Sequence, residues 1–243
     1  MGPAGRPQRG PQLPYKLLAG VEPCTGGWLV VTGRLQGTNL APQRPEIFPS
    51  LIEVLDYKPA FAIIALHAPV GLPEGSGGRA ADRAARALLG RRRGAAAVPA
   101  PARAALQAAT FAEAKAIDPK LTTVMWRLAR RMAESERELA PYWQRTVFEV
   151  NPELAFYGLN GDAPLQFPKR SSVGAKERRM LLEERFPGID VTLDAKVPGV
   201  REDRVIDAAA DLWTARRIAA RALNRLPEDP EWDEEGLRME IVY

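Results

Sequence analysis

A short apolar run that ends abruptly in a polar turn is the feature that most constrains the fold of this 243-residue chain. Residues 61–66 ("FAIIAL") are apolar at every position, and they are followed by His67, the one histidine of the chain, and by the turn "APVGLP". A fully apolar run of this length predicts a strand that is covered on both faces. We therefore expect a layered α/β sheet with a titratable side chain at the tip of a central strand.

The segments around this run alternate between strand and helix patterns. Two apolar stretches, 15–22 and 27–35, flank a Gly-Gly turn and predict a hairpin, and helical spacing follows at 45–58. Beyond the central strand we predict helices at about 79–90, 101–116, 121–139, 176–186 and 202–223, and strands at 145–150 and 237–243. This order predicts an α/β fold, a mixed sheet flanked by helices, with a helical insertion at 75–142.

Composition favours a globular, cytoplasmic protein. Hydrophobic residues make up 46% of the chain and charged residues 26%, and no run approaches the roughly 18–20 apolar residues that span a bilayer. The Pro/Gly/Arg-rich residues 1–14 lack the hydrophobic segment of a signal peptide and predict a disordered arm before a single domain at 15–243. A single cysteine, Cys24, fits a reducing compartment.

Positive charge is concentrated in one part of the chain. The net charge is +4, but residues 79–103 contain seven arginines and one acid, a local charge of +6. Three of these arginines are consecutive, and Arg91, Arg92 and Arg93 are therefore candidates for contacts with nucleic-acid phosphates. The alternative is that they form a solvated helix face.

Acidic side chains and the histidine collect where strands are predicted to end. Glu22, His67 and Glu149 lie at three strand tips, and Asp203 and Asp207 lie one turn apart on one face of the long C-terminal helix. Ligands of open α/β sheets bind beyond the strand tips. Clustered carboxylates are the hard oxygen ligands that Mg²⁺ and Mn²⁺ prefer, so these positions predict a divalent metal site.

Some of these acids have an ordinary structural explanation as well. Asp203 is near a predicted helix N-terminus, where interaction with the helix dipole stabilises an acid by about 0.3–1 kcal/mol. Glu153 follows the sequence Asn151-Pro152, a pattern typical of a helix N-cap, and is a weaker candidate than Glu149.

Seven short motifs occur in a fixed order along the chain: "GVEPCTGGW" (20–28), "HAPVGLP" (67–73), "DRAARALLGRRR" (82–93), "VPAPAR" (98–103), "FEVNPELAFYGLNG" (148–161), "EDRVIDAAADLWTARR" (202–217) and "GLRMEIVY" (236–243). Together they resemble a family of unknown function described as predicted RNase H-like nucleases, distantly related to Holliday-junction resolvases. The resemblance implies an RNase H-like fold, and metal-dependent hydrolysis of nucleic-acid phosphodiester bonds with Mg²⁺ or Mn²⁺.

The resemblance also assigns residues to the site. It implies that Glu22, Glu149, Asp203 and Asp207 hold the metal, and that Glu22, His67, Glu149 and Asp207 carry catalysis. The chain departs from the family pattern at two of these positions, because Glu22 replaces an aspartate and His67 stands where a carboxylate is usual. The imidazole can ligate metal, act as an acid or base, or mark a site that has lost its activity.

Two further functions remain open from the sequence. One is a catalytically inactive RNase H-like module that binds nucleic acid or a phosphorylated ligand through its arginines, without a metal. The other is nucleophilic catalysis by Cys24 with His67, which requires the two side chains to lie within hydrogen-bonding distance.

Overall fold

The computed structural model describes residues 14–243, so residues 1–13 of the predicted arm lie outside the described residues. One six-stranded mixed sheet forms the centre of the molecule, with strands β1 (Lys16–Cys24), β2 (Gly27–Gln36), β3 (Asn39–Pro42), β4 (Glu46–Phe48), β5 (Ile63–Leu66) and β6 (Val147–Glu149). The order is β3-β2-β1-β5-β6, with β4 also paired to β2. Strands β1 to β4 are antiparallel neighbours, whereas β5 and β6 add in parallel. This order is consistent with the expected RNase H-like topology.

In the described part of the chain, eight helices surround the sheet: α1 (Leu51–Leu55), α2 (Ala80–Arg93), α3 (Phe111–Ile117), α4 (Thr123–Glu138), α5 (Pro152–Leu159), α6 (Ser172–Arg185), α7 (Asp190–Leu193) and α8 (Glu202–Ala219). Helices α2, α3 and α4 all lie in the connection between β5 and β6. A second hairpin, β7 (Arg225–Trp232) and β8 (Arg238–Val242), touches the main sheet through a bridge between Val150 and Val242. None of the helices described here is both long and apolar enough to cross a bilayer.

Both faces of the central sheet are buried, as the apolar run 61–66 predicts. Leu18 and Ala65 face one apolar cluster, which includes the apolar side chains of α5, α6 and α8. Ala19, Ile64 and Leu66 face a second cluster on the other side, which includes α1. The alternation follows from the two-residue period of a strand. Covering both faces leaves the strand tips as the accessible part of β1 and β5.

Helix α8 approaches β1 unusually closely at Gly20. A β-carbon at position 20 would collide with the backbone of Ala208 and Leu212, so only glycine allows this contact. Side chains two residues apart point to the same face of a strand. Glu22 therefore points towards α8 and lies beside Asp211.

Most predicted elements are confirmed, including the hairpin β1–β2, the central strand, the helices over 79–90, 121–139, 176–186 and 202–223, and the strands over 145–150 and 237–243. The predicted helix over 45–58 is wrong in its first half, where Glu46–Phe48 forms β4. A helix forms only from Leu51 onward. The spacing of apolar residues does not reveal that β2 has a free edge where another strand can pair. The predicted helix over 101–116 is broken, because Thr110 starts a new helix with a side-chain cap.

We expect Gly20→Ala to lower the free energy of unfolding by about 1–3 kcal/mol, because the added methyl group must displace helix backbone. Gly75→Ala is the matched control, since its β-carbon meets no atom within 4 Å and its backbone is not left-handed. Thermal unfolding of the two variants checks the prediction. Equal melting temperatures would show that α8 does not depend on the close approach at Gly20.

Candidate metal centre

Three ligand-type side chains meet at the tip of the central strands. Glu22, His67 and Asp211 each offer one ligand atom, and these atoms all lie within 4.8 Å of one another. Glu22 and Asp211 are fully buried, and the His67 side chain is 26% exposed. Two carboxylates and one imidazole at this separation are a donor set suited to a divalent cation.

The backbone positions each member of this group. The parallel pairing of β1 with β5 ends at Val21 and Leu66, and the His67 N–H then donates to the Val21 carbonyl at 2.9 Å. Glu22 and His67 are thus the next residues on two adjacent parallel strands. Asp211 comes from α8, which the close contact at Gly20 holds against β1.

His67 is fixed by a partner on each ring nitrogen. Its Nδ1 contacts a Glu22 carboxylate oxygen, and its Nε2 lies 3.4 Å from the Asn151 side-chain nitrogen. The contact with a carboxylate assigns the Nδ1 proton as the donor to Glu22, and Nε2 faces Asn151. Both nitrogens of the imidazole are therefore engaged by residues other than Cys24. Burial also raises the pKa of the Cys24 thiol. These contacts do not favour the Cys24–His67 pair.

Glu22 is the ionised centre of the group. Burial alone would raise the pKa of this carboxyl, but the charge and hydrogen bond of His67 and the charges of Arg204 and Lys169 lower the pKa to about 2. Arg204 donates to the second Glu22 oxygen at 2.9 Å. Glu22 therefore carries its negative charge inside the protein at neutral pH.

Asp211 differs from Glu22 in its contacts. Neither of its carboxylate oxygens meets an N–H or O–H donor among the described residues. Burial, and then the negative charges of Glu22 and Asp207, raise the pKa of Asp211 well above its ordinary value. A protonated Asp211 carboxyl can donate to Glu22, so the pair shares one negative charge.

Asp203 and Asp207 of α8 are paired with basic side chains. Lys169 contacts Asp207, which is buried, and Arg201 contacts Asp203 at 2.5 Å. Burial raises the pKa of Asp207, an effect that Lys169 opposes, whereas Arg201 and the neighbouring cations lower the pKa of Asp203 despite its burial. Asp203, Asp207 and Asp211 are spaced by four residues and lie on one face of α8.

Glu149 lies outside the group of three. Both of its oxygens accept from Arg79, at 2.5 and 2.6 Å, and one also accepts from the Val70 N–H at 2.7 Å. Arg79 also binds Asp82 and the carbonyls of Val70 and Gly71. In the described contacts Glu149 anchors the turn after His67.

The three consecutive arginines at the end of α2 have different environments. Arg93 is buried and donates to Glu153 at 2.6 Å, and Glu153 also accepts from Arg178 at 3.0 Å. Arg91 and Arg92 are exposed. The predicted phosphate contacts thus remain sterically available at two of the three positions.

Asp211 is the member of the site that the sequence reasoning missed. Its signal was present, because it continues the four-residue spacing of Asp203 and Asp207 by one further turn. In the sequence, a carboxylate in the middle of an alanine-rich helix resembles a core position. Its proximity to Glu22 on β1 depends on the packing at Gly20, which the sequence does not display.

The chain matches a family model described as "Protein of unknown function (DUF429)" over residues 20–232. The chain belongs to this family. A search of curated proteins and a search of solved structures each found no significant match. The matched region contains Glu22, His67 and Asp211, and the family description names no activity.

In this DUF429 protein a basic cavity of about 510 Å³ adjoins the group of three. His67 and Asn151 line it, together with six basic side chains: Arg93, Arg127, Arg131, Lys169, Arg170 and Arg204. The acids in its lining, Asp82 and Glu149, both form ion pairs with Arg79. The cavity therefore suits an anionic ligand, and His67, Lys169 and Arg204 separate it from the buried carboxylates.

We expect Asp211→Asn to stabilise the protein in chelator at neutral pH. The raised pKa favours the protonated form of Asp211 in the folded protein, whereas the unfolded chain ionises it above its ordinary value of 3.8, so this group costs stability as pH rises above 3.8. Asparagine has no such cost. Removing a buried, unpaired carboxyl should gain about 1–3 kcal/mol at neutral pH, and the gain should shrink as pH falls toward 3.8.

Melting curves across pH measure this effect, and Asp203→Asn is the matched control with the opposite sign. The pKa of Asp203 is lowered by its ion pair, so its charge stabilises the folded protein above pH 3.8 and that variant should melt lower at neutral pH. A neutral-pH melting temperature of Asp211→Asn below that of the parent would contradict a neutral Asp211.

Proposed function

We propose that this protein is a metal-dependent phosphodiester hydrolase that acts on nucleic acid. Glu22 and Asp211 would hold Mg²⁺ or Mn²⁺, with His67 beside them. The observation that carries the proposal is that His67, a member of this donor group, lines a cavity together with six basic side chains. A metal site and an anion site in contact are the two requirements for phosphodiester hydrolysis.

The donor group fits a hard divalent cation. Asp211 has two buried oxygens that meet no hydrogen-bond donor among the described residues. A buried carboxylate pair is costly unless a proton or a cation lies between its members. A divalent ion in place of that proton would satisfy both Glu22 and Asp211. When bound, such an ion lowers the pKa of a coordinated water and stabilises negative charge on phosphate oxygens.

The side chains between the carboxylates and the cavity have separate tasks in this proposal. Lys169 and Arg204 balance the charges of Asp207 and Glu22, and both also line the cavity, where they can bind phosphate oxygens. His67 presents its Nε2 beside Asn151 at the cavity wall, which suits it to accept or donate a proton. The fixed contact to Glu22 holds the imidazole in this orientation.

The test is hydrolysis of labelled DNA and RNA strands in Mn²⁺, in Mg²⁺ and in EDTA. We expect cleavage only with a metal, and we expect Asp211→Asn to reduce it by about 100-fold or more, because the metal contributes several kcal/mol to transition-state stabilisation. Asp190→Asn, the same change at an exposed position, should leave the rate unchanged. Since Asp211→Asn is expected to be the more stable protein, its loss of activity would not reflect unfolding.

Binding of nucleic acid without hydrolysis is the second candidate function. It is favoured by the ion pairs of Lys169 with Asp207 and of Arg204 with Glu22, because these already neutralise two site carboxylates without a metal. The same assay separates the two functions. Tight binding in EDTA with no metal-dependent cleavage of any tested strand would select the binding function.

A further inference from the structure

A second, smaller cavity lies beside the first. Its volume is about 360 Å³. Pro23, Leu128 and four arginines line both cavities, so the two form one continuous depression. Six arginines line the second cavity: Arg127, Arg130, Arg131, Arg170, Arg201 and Arg204. Its lining, as far as the structure describes the chain, contains no acidic side chain. We call this second cavity the arginine basin.

The arginine basin is assembled from three separate parts of the chain. Arg127, Arg130 and Arg131 lie on one face of α4, at the spacing of one helical turn. Arg170 comes from the loop before α6, and Arg201 and Arg204 come from the start of α8. Opposite this arginine face, α4 buries Met125, Ala129 and Met132, so the helix is held by its apolar side.

The arginines of the basin differ in their ion pairing. Arg127 and Arg130 are exposed and form no ion pair among the residues described. Arg170 is 69% exposed and lies 3.8 Å from Asp203, a distance that contributes little to stability. Arg131, Arg201 and Arg204 form shorter ion pairs with nearby carboxylates. Clustered guanidinium groups repel one another, so a polyanion is the ligand that this surface favours.

We propose that the arginine basin binds the phosphate backbone of the nucleic-acid strand that continues beyond the metal centre. This inference deepens the proposed function and rests on its nucleic-acid substrate. Arg204 lines both cavities and contacts Glu22, so it joins the basin to the candidate metal ligands. A strand that places one phosphate near His67 would have its neighbouring phosphates beside Arg170, Arg127 and Arg130. Guanidinium groups bind phosphate through paired N–H donors and stay charged at every physiological pH.

This assignment differs from the one made on sequence, which places phosphate contacts at Arg91, Arg92 and Arg93. Of those three, Arg93 alone lines the first cavity, and its Nε is taken by Glu153. None of the three lines the arginine basin. The two exposed members, Arg91 and Arg92, therefore provide a matched control with the same loss of charge.

The experiment measures binding of a fluorescein-labelled single-stranded oligonucleotide by anisotropy, in EDTA, over a series of salt concentrations. The Arg127→Ala/Arg130→Ala double variant should bind about tenfold more weakly than the parent at low salt, since each lost phosphate contact removes a charge-assisted hydrogen bond. The slope of log affinity against log salt should flatten by about 1.4, or 0.7 for each lost contact to a single strand. Arg91→Ala/Arg92→Ala should match the parent in both quantities.

Equal losses in the two double variants, or a loss only in Arg91→Ala/Arg92→Ala, would overturn the arginine basin. All four positions are exposed, so melting temperatures should be unchanged and any unfolded variant would be recognised. Because binding is measured without metal, the result is independent of hydrolysis. A parent that cleaves but binds through neither pair would overturn the basin alone, whereas binding through Arg127 and Arg130 without cleavage in Mn²⁺ would overturn the hydrolase alone.

Discussion

The close approach of helix α8 to strand β1 at Gly20 is the constraint on which the candidate site depends. The missing side chain lets the helix backbone touch the strand, and this contact brings Asp211 within ligand distance of Glu22. The parallel pairing of β1 with β5 then adds His67 from the neighbouring strand. Three segments far apart in sequence thus place two carboxylates and one imidazole at one end of the sheet.

Bringing acids together in the interior requires compensating positive charge, and the molecule supplies it locally. Glu22 contacts His67 and Arg204, Asp207 contacts Lys169, and each of these ion pairs opposes the rise in pKa that burial would cause. Asp211 meets no such donor among the described residues, and its pKa is raised by burial. A buried ionisable group without a partner contributes no stability in the absence of a ligand, and its presence beside a basic cavity is typical of functional sites.

The sequence predicts the sheet better than it predicts the site. The fully apolar run 61–66 and the Gly-Gly hairpin are local patterns, and both correspond to observed strands. Segments defined by long-range pairing were harder to predict: β4 forms only because β2 has a free edge, and it replaces the first half of a predicted helix. Local spacing does not report such pairing.

The site residues show the same contrast between local patterns and long-range contacts. Glu22 and His67 were identified because both follow the pattern of a strand tip, and the structure places them in contact. Glu149 satisfies the same pattern, yet the structure places Arg79 on both of its oxygens, and Arg79 is 70 residues away in sequence. Asp211 continues a visible helical spacing, but its importance follows from the packing of α8 on Gly20. Charge pairing and backbone contact across the fold are what a single sequence does not display.

Crystals soaked in Mn²⁺ test directly whether Glu22 and Asp211 hold a metal ion, because anomalous scattering locates the ion without reference to activity. We expect one peak within coordination distance, about 2–2.6 Å, of oxygens from both Glu22 and Asp211. The same soak of Asp211→Asn crystals should lose that peak. A parent crystal with full Mn²⁺ occupancy elsewhere and none between Glu22 and Asp211 would show that these two carboxylates do not form a metal site.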